Sequence, residues 1–291
     1  MKKASVCIVI TALLAVWGWA DSKYPIEEKE VVQKTLKFQD ASKPGRLRLD
    51  NVFGSIKVEA VNGGPVELTA HKTIRAESKD KIRQAKDEVK LDLVENADSI
   101  EIYVDGPFRC QCPDGSRGIK SRDMGYEVRY DFVLKVPRRT SVILKTVNDG
   151  DIIVTGIEGM FEVGNVNGRV ELEGMAGSGE ARTVNGGVKV GFTSNPKADC
   201  TFTTVNGDVE LEFRETPAAD FKLKTFNGKA YSDFETKTLP TEAPQVQEKK
   251  EGRFRYHSER FTHVRAGKGG PVLYCDTLNG DILIKKRASG K

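Results

Sequence analysis

Short runs of alternating apolar and polar residues fill most of the chain, and many of them flank the same dipeptide, Asn-Gly. With each Asn as position zero, the marks are Asn148, Asn167, Asn185, Asn206, Asn227 and Asn279, separated by 19, 18, 21, 21 and 52 residues. Six and four residues before zero stand Val142 and Leu144, Phe161 and Val163, Cys200 and Phe202, Phe221 and Leu223, and Leu273 and Cys275; Gly179 and Ala181 make the weakest copy. Three and five after zero come Val170 and Leu172, Val188 and Val190, Val209 and Leu211, and Ile282 and Ile284. Asn148 carries one extra residue, Asp149, which moves its pair to Ile152 and Val154, and Asn227 is followed by the poor pair Ala230 and Ser232. Period-two alternation on both sides predicts strand, corner, strand in each repeat, with one face apolar. Gly suits the positive φ of a tight corner. Leu47, Leu49, Val52, Phe53-Gly54, Ile56 and Val58 fit the same template, with Phe in the Asn slot.

Asn-Gly between alternating hydrophobics is also a hairpin signal, so the period fits a meander of hairpins or a β-solenoid. Stacked coils set equivalent positions above one another. That gives a reason for identity at one position: Asn on Asn, Val on Val, Thr on Thr, with hydrogen bonds along the Asn column. A meander supplies no such reason. The favoured reading is therefore an all-β chain, a single-stranded β-solenoid (β-helix) of roughly 20-residue coils with N-terminal strands and one short helix.

The remaining segments are organised around this array. Residues 1–20 read as a signal peptide, 21–44 as a lead-in, and 45–139 as the N-terminal coil with additional strands and a Cys-bearing loop. Residues 140–291 read as the repeat solenoid with an inserted loop over 236–265. PVELTAHKTI, VKLDLVEN, SIEIYVD and EVRYDFVLKVP predict the extra strands, and SKDKIRQAK predicts a short polar helix over 78–86. TKTLPTEAPQVQEKKEG, residues 236–252, is polar with two prolines and predicts a mobile loop.

Three stretches carry a family likeness: LDNVFGSIKVEAVNGGPVELTA, VRYDFVLKVP followed by SVILKTVNDGDIIVTGIEG, and GGPVLYCDTLNGDILIKK. In order and spacing they make residues 45–290 resemble the bacterial putative-adhesin family of exported β-solenoid domains of unknown function. The resemblance implies a single-chain solenoid at or beyond the cell envelope and carries over no catalytic residue. The Cys110-Gln-Cys112 loop and the insertion before Phe261 depart from the family pattern.

Composition sharpens this picture at the start of the chain. Lys2 and Lys3 precede an apolar run over 7–16, and Gly18-Trp19-Ala20 places small residues where a signal peptidase reads. A membrane anchor is the alternative, but the run is short of the roughly 20 residues a spanning helix needs. No cysteine stands at the cleavage point, so no lipid anchor is expected there. The leader predicts export to the periplasm, outer envelope or exterior, with no transmembrane segment after cleavage. Lys plus Arg is 46 and Asp plus Glu is 42, a formal +4 that is too weak a bias for a nucleic-acid partner.

Little in the pattern points to reaction chemistry. Four positions after zero, Glu171, Lys189, Glu210 and Tyr231 face outward on successive repeats. Two carboxylates about 10 Å apart could serve a polysaccharide-cleaving site, or form an exposed ladder of alternating charge. Two after zero, Arg169, Gly187, Asp208, Lys229 and Asp281 mix signs, which argues against calcium at the corners. Cys200 and Cys275 occupy apolar slots and read as buried thiols on coils two apart. Cys110 and Cys112 could form a strained disulfide, pair between chains or stay free. Arg253, Phe254, Arg255 and Tyr256 open RFRYHSERFTHVR, either a surface for anionic glycans or lipid headgroups or one strand paired with 261–264. No metal, cofactor or catalytic residue is predicted. The expectation is a non-enzymatic envelope-associated binding or scaffold protein whose partner is a cell-surface glycan or an envelope protein; the alternatives are a polysaccharide-active β-helix enzyme and an envelope-stress regulatory partner.

Overall fold

The computed structural model describes residues 23–40, 43–111, 117–119, 123–240, 245–250, 253–257 and 261–287. The segment expected to be a leader lies outside the described residues. The chain is mostly β with one short helix and divides into two compact units, residues 1–168 and 169–291. No helix among the described residues is long and apolar enough to cross a membrane.

The first unit contains β1 (Ile26–Leu36), β2 (Arg46–Asp50), β3 (Ile56–Val61), β4 (Val66–Ala76), α1 (Lys79–Glu88), β5 (Lys90–Glu95), β6 (Ser99–Asp105), β7 (Arg109–Gln111), β8 (Arg117–Ile119), β9 (Tyr126–Pro137), β10 (Ser141–Lys145), β11 (Ile152–Thr155) and β12 (Phe161–Gly164). Within this unit one sheet runs β1-β4-β9-β3-β11 and the other β12-β10-β2-β6-β5. The chain changes sheet at each corner: β2 and β3, and β10 and β11, lie in different sheets. Equivalent strands then pair in parallel, Leu47 with Val142 and Ile56 with Ile152. The alternating pattern of β4 and β9 comes from antiparallel pairing with one face turned to the core. Ser78 caps α1 by accepting the Lys81 N–H at 3.2 Å, and Ile82 and Ala85 form its buried stripe.

Phe53 occupies the Asn slot for a reason visible in this unit. It bridges to Asn148 on one side and meets the buried Phe108 ring edge-on, with centroids 5.8 Å apart. Arg109 pins the same loop through Asp50 at 2.8 Å, the Val104 carbonyl at 3.0 Å and the Tyr103 ring. The expected Cys-bearing loop thus contains the small β7–β8 hairpin.

The second unit contains β13 (Val170–Met175), β14 (Gly179–Arg182), β15 (Val188–Phe192), β16 (Cys200–Asn206), β17 (Val209–Phe213), β18 (Ala219–Asn227), β19 (Ala230–Ser232), β20 (Thr236–Thr238), β21 (Gln245–Lys250), β22 (Arg253–His257), β23 (Thr262–Ala266), β24 (Val272–Asn279) and β25 (Ile282–Lys286). One sheet runs β13-β15-β17-β25-β19, all parallel; the other runs β20-β23-β18-β24-β16-β14. A buried row of Phe192, Phe213, Phe221 and Phe234 fills the space between, with Phe192 and Phe213 stacked at 5.3 Å.

Three expectations are corrected here. The final repeat does not stack last: β24 lies between β16 and β18, and β25 between β17 and β19. Residues 236–252 are not simply a loop, because they contain β20 and β21. Finally, β22 pairs antiparallel with β21, while β23 pairs with β18 and β20; 253–257 and 261–264 are not partners. β23 instead supplies Val264 and Ala266 to the buried end of the second sheet, where β18 would otherwise have an open edge.

Candidate functional site

The repeated T-x-N-G corner of the second unit is built in four rows. The innermost row is Thr. Thr204 donates its hydroxyl to the Gly186 carbonyl at 2.7 Å, Thr277 to Gly207 at 2.9 Å and Thr225 to Gly280 at 2.8 Å. In the first unit Thr146 does the same for Gly54 at 2.9 Å, and Asn165 donates its amide to the Gly150 carbonyl in the same slot. A buried carbonyl at a corner has no ladder partner, and the Thr hydroxyl satisfies it. This role of the residue two before zero was not drawn from the sequence, although Thr recurs there.

The Gly row follows from close approach. A Cβ on Gly207 would lie 2.5 Å from the Gly186 carbonyl carbon, and one on Gly280 the same distance from that of Gly207. Gly228 and Gly280 are not in the positive-φ region, yet they face the same obstruction as Gly207. The expected positive φ is found at Gly54, Gly168, Gly186 and Gly207, and the need for space beneath the next corner is what extends the glycine requirement to Gly228 and Gly280.

The Asn row is hydrogen-bonded side chain to side chain. Asn206 donates to Asn185 Oδ1 at 2.8 Å, Asn279 to Asn206 at 2.7 Å and Asn227 to Asn279 at 2.7 Å; in the first unit Asn167 donates to Asn148 at 2.6 Å. Beside it runs an outward apolar row, one residue before zero: Val184, Val205, Leu278 and Phe226, exposed by 38, 37, 46 and 79%. These four are consecutive neighbours across the stack. Rungs about 4.8 Å apart make them a continuous ridge.

On the outer face of the parallel sheet, Glu171, Lys189 and Glu210 are cross-strand neighbours. Lys189 contacts Glu210 at 3.0 Å and Glu212 at 2.8 Å, and Lys285 reaches Glu210 at 2.7 Å. Burial opposes ionisation of Glu210, but hydrogen bonds from Lys285 and Lys189 outweigh it and bring its carboxyl down to about 2. Tyr231 lies further along the same column, beyond Leu283. Two after zero, Asp208 accepts the Asp281 N–H and Asp281 accepts the Lys229 N–H, each at 2.8 Å, so these carboxylates serve the backbone of the next rung.

The thiols of Cys200 and Cys275 are buried and free, and burial raises both above the usual thiol range. Cys275 is the cross-strand partner of Phe202, so the two cysteines sit on adjacent strands, not two coils apart; the intercalated repeat is the cause. Cys110 is half-buried and has no disulfide partner among the described residues. Cys112 lies outside the described residues, and with it the suggested Cys110–Cys112 bond.

Arg253, Phe254, Arg255 and Tyr256 lie on β22, whose side chains are outside the described residues. Phe261, just before β23, and His263 and Arg265 on it alternate with the buried Val264 and Ala266. Lys222 Nζ lies 5.0 Å above the Phe261 ring, Phe261 meets His263 edge-on, and Arg265 makes a two-bond pair with Asp220 at 2.7 Å. Those bonds hold the Asp220 carboxyl below its ordinary range.

No protein-family model matches the chain, and no curated protein matches it. Among solved structures, the chain is similar to a putative cell adhesion protein from Clostridium sporogenes, at 11% identity and a TM-score of 0.42, over 89% of this chain and 100% of that one. It is also similar to a putative adhesin from Bacteroides fragilis, at 10% identity and a TM-score of 0.35, over 89% and 97%. A third similarity, at 8% identity and a TM-score of 0.24, is to a putative lipid binding protein from Parabacteroides distasonis, over 88% and 97%.

Proposed function

We propose that the chain is an exported, non-enzymatic β-solenoid that binds a component of the cell envelope along its corner ridge. The observation that carries this reading is the exposed row Val184, Val205, Leu278 and Phe226 beside a hydrogen-bonded Asn column. Contiguous exposed apolar rows bordered by polar groups are a common form of interaction surface. Its repeat suits an extended partner that makes many weak contacts at once, such as a cell-surface glycan or an elongated envelope protein. The alternation of sheets at every corner, with parallel pairing of equivalent strands, supports the solenoid. Against polysaccharide cleavage stands Glu210: a general acid needs a raised pKa, and two lysines lower this one.

The test is binding of the exported chain to fractionated envelope and to a glycan array, with Phe226→Asp plus Leu278→Asp as the ridge variant. Binding that the variant abolishes, at unchanged thermal stability, supports the reading. Binding to no envelope component, or binding that the ridge variant leaves intact, refutes it.

A further inference from the structure

We propose that the first unit carries a separate binding site for an acidic saccharide, a sugar ring bearing a carboxylate or phosphate. The site is a cavity of about 800 Å³, within the size range of small-ligand sites. Four segments far apart in sequence meet there. β1, β3, β9 and β11 all point the same way, since β1 and β9 are each antiparallel to β4 and β3 is parallel to both β9 and β11. The cavity therefore lies beyond the carboxyl ends of four strands. Backbone bonds fix the loops to one another: Arg138 N–H to Val61 O at 3.0 Å, Glu158 N–H to Arg138 O at 2.9 Å and Ser141 N–H to Gly45 O at 2.8 Å.

The lining combines flat apolar rings with unspent positive charge. The Phe38 ring lies against Gly45 so closely that a Cβ there would sit 2.8 Å from Phe38 Cδ2; only glycine leaves the ring its place. Pro65 and Pro137 add further ring walls. Around them stand Lys37, Lys43, Arg138 and Arg139 against the single acid Glu158. Among the described residues Lys37 and Arg139 make no ion pair, and Lys43 reaches Asp40 only at 3.5 Å. Arg138 is oriented by Asn62 Oδ1 and the Gly156 carbonyl, each at 3.2 Å, and lies 3.8 Å from Glu158. Thr140, lining the floor, is 1% exposed and its hydroxyl has no hydrogen-bond partner among the described residues.

Each feature narrows the ligand. A neutral sugar would pack its C–H face on Phe38 and the prolines but leave Lys37 and Arg139 unused. A bare anion would use the cations and leave the rings idle. An acidic saccharide uses both, with Arg139 matching the planar geometry of a carboxylate or the oxygens of a phosphate. This site shares no residue with the ridge, so it stands or falls independently of the envelope-binding reading.

The experiment is titration calorimetry of the exported chain with a uronate trisaccharide, a hexose 6-phosphate, a neutral hexose trisaccharide and inorganic phosphate. At least one acidic sugar should bind about tenfold more tightly than the neutral one and than inorganic phosphate; which of the two does so identifies the acid group. Lys37→Gln with Arg139→Gln should weaken that binding by at least about tenfold, and Phe38→Ala should weaken it without moving the salt dependence. Phe226→Asp should leave it unchanged. The proposal is overturned by equal affinity for neutral and acidic sugars, by inorganic phosphate binding as tightly as the tighter of the two acidic sugars, by no acidic sugar binding, or by a Lys37/Arg139 variant that folds normally and binds as the parent does.

Discussion

The corner geometry makes two neighbouring glycines behave oppositely. Gly207→Ala places a Cβ 2.5 Å from the Gly186 carbonyl carbon and 2.8 Å from Gly187 N, so the two rungs must separate by close to an ångström. Three bonds span that gap: Thr204 Oγ1 to Gly186 O at 2.7 Å, Gly186 N–H to Asn206 O at 2.9 Å, and Asn206 Nδ2 to Asn185 Oδ1 at 2.8 Å. At about 1 kcal/mol each, their loss costs about 3 kcal/mol. For a unit of this size that lowers Tm by about 10 °C. Gly187→Ala comes no nearer than 3.3 Å, to Asp208 O, at a position where other repeats carry Arg169, Asp208 or Asp281. It should fall within about 0.5 kcal/mol of the parent. Urea unfolding gives both values, and hydrogen exchange places the loss at the amides of 184–187 and 206–208. Equal effects of the two substitutions, or a Gly207→Ala protein as stable as the parent, would refute the close-approach argument.

Thr277→Val keeps the buried shape but strands the Gly207 carbonyl; it should cost about 1.5 kcal/mol in denaturant unfolding, and a neutral result would remove the Thr row from the account. Because the folded Glu210 carboxyl lies at about 2, below the ordinary 4.5 it regains on unfolding, its contribution is present above pH 4.5 and lost as pH falls toward 2. After allowance for its partial exposure, Glu210→Gln should flatten the acid limb of the stability profile by about 1 kcal/mol between pH 5 and 2.5; parallel profiles would contradict this. Under native conditions at pH 8, an alkylating reagent followed by mass spectrometry should label Cys110 well before Cys200 and Cys275, which become reactive only when the second unit opens.

The corner slots could be read from the sequence because side chains alternate with period two and stacking repeats the same environment. Leu47, Leu49, Ile56 and Val58 were placed with Val142, Leu144, Ile152 and Val154 on that basis, and the pairing is residue for residue. The helix was legible too: Ser78 and Asp80 start it, one residue from the expected boundary, and it continues to Glu88. The pairing of β21 with β22 was not, since a polar, proline-bearing run lacks the alternation that marks a strand. Nor was the acidic-saccharide cavity. Lys37, Asn62, Arg138 and Glu158 carry no common local pattern, and only the end-on arrangement of four strands brings them together.

The order of repeats was the larger miss, and its cause is physical. Every corner of the second unit carries the same Thr, Gly and Asn slots, so any of its repeats can stack on any other at nearly equal cost in corner bonds. What distinguishes the repeats is the inward pair after the corner. Ile282 and Ile284 are fully buried between β17 and β19, whereas Ala230 and Ser232 lie exposed on β19 at the end of that sheet. Exchanging the two would bring a serine hydroxyl into the core and leave two isoleucines at the edge, forfeiting about 3–6 kcal/mol of apolar burial. Chain order would instead have set Ala230 and Ser232 inside. The 52-residue gap before Asn279 gives the chain enough length to leave after β19 and return on its inner side. The weak pair after Asn227 was therefore a marker of an end position, and sequence distance from the terminus was a poor guide to it.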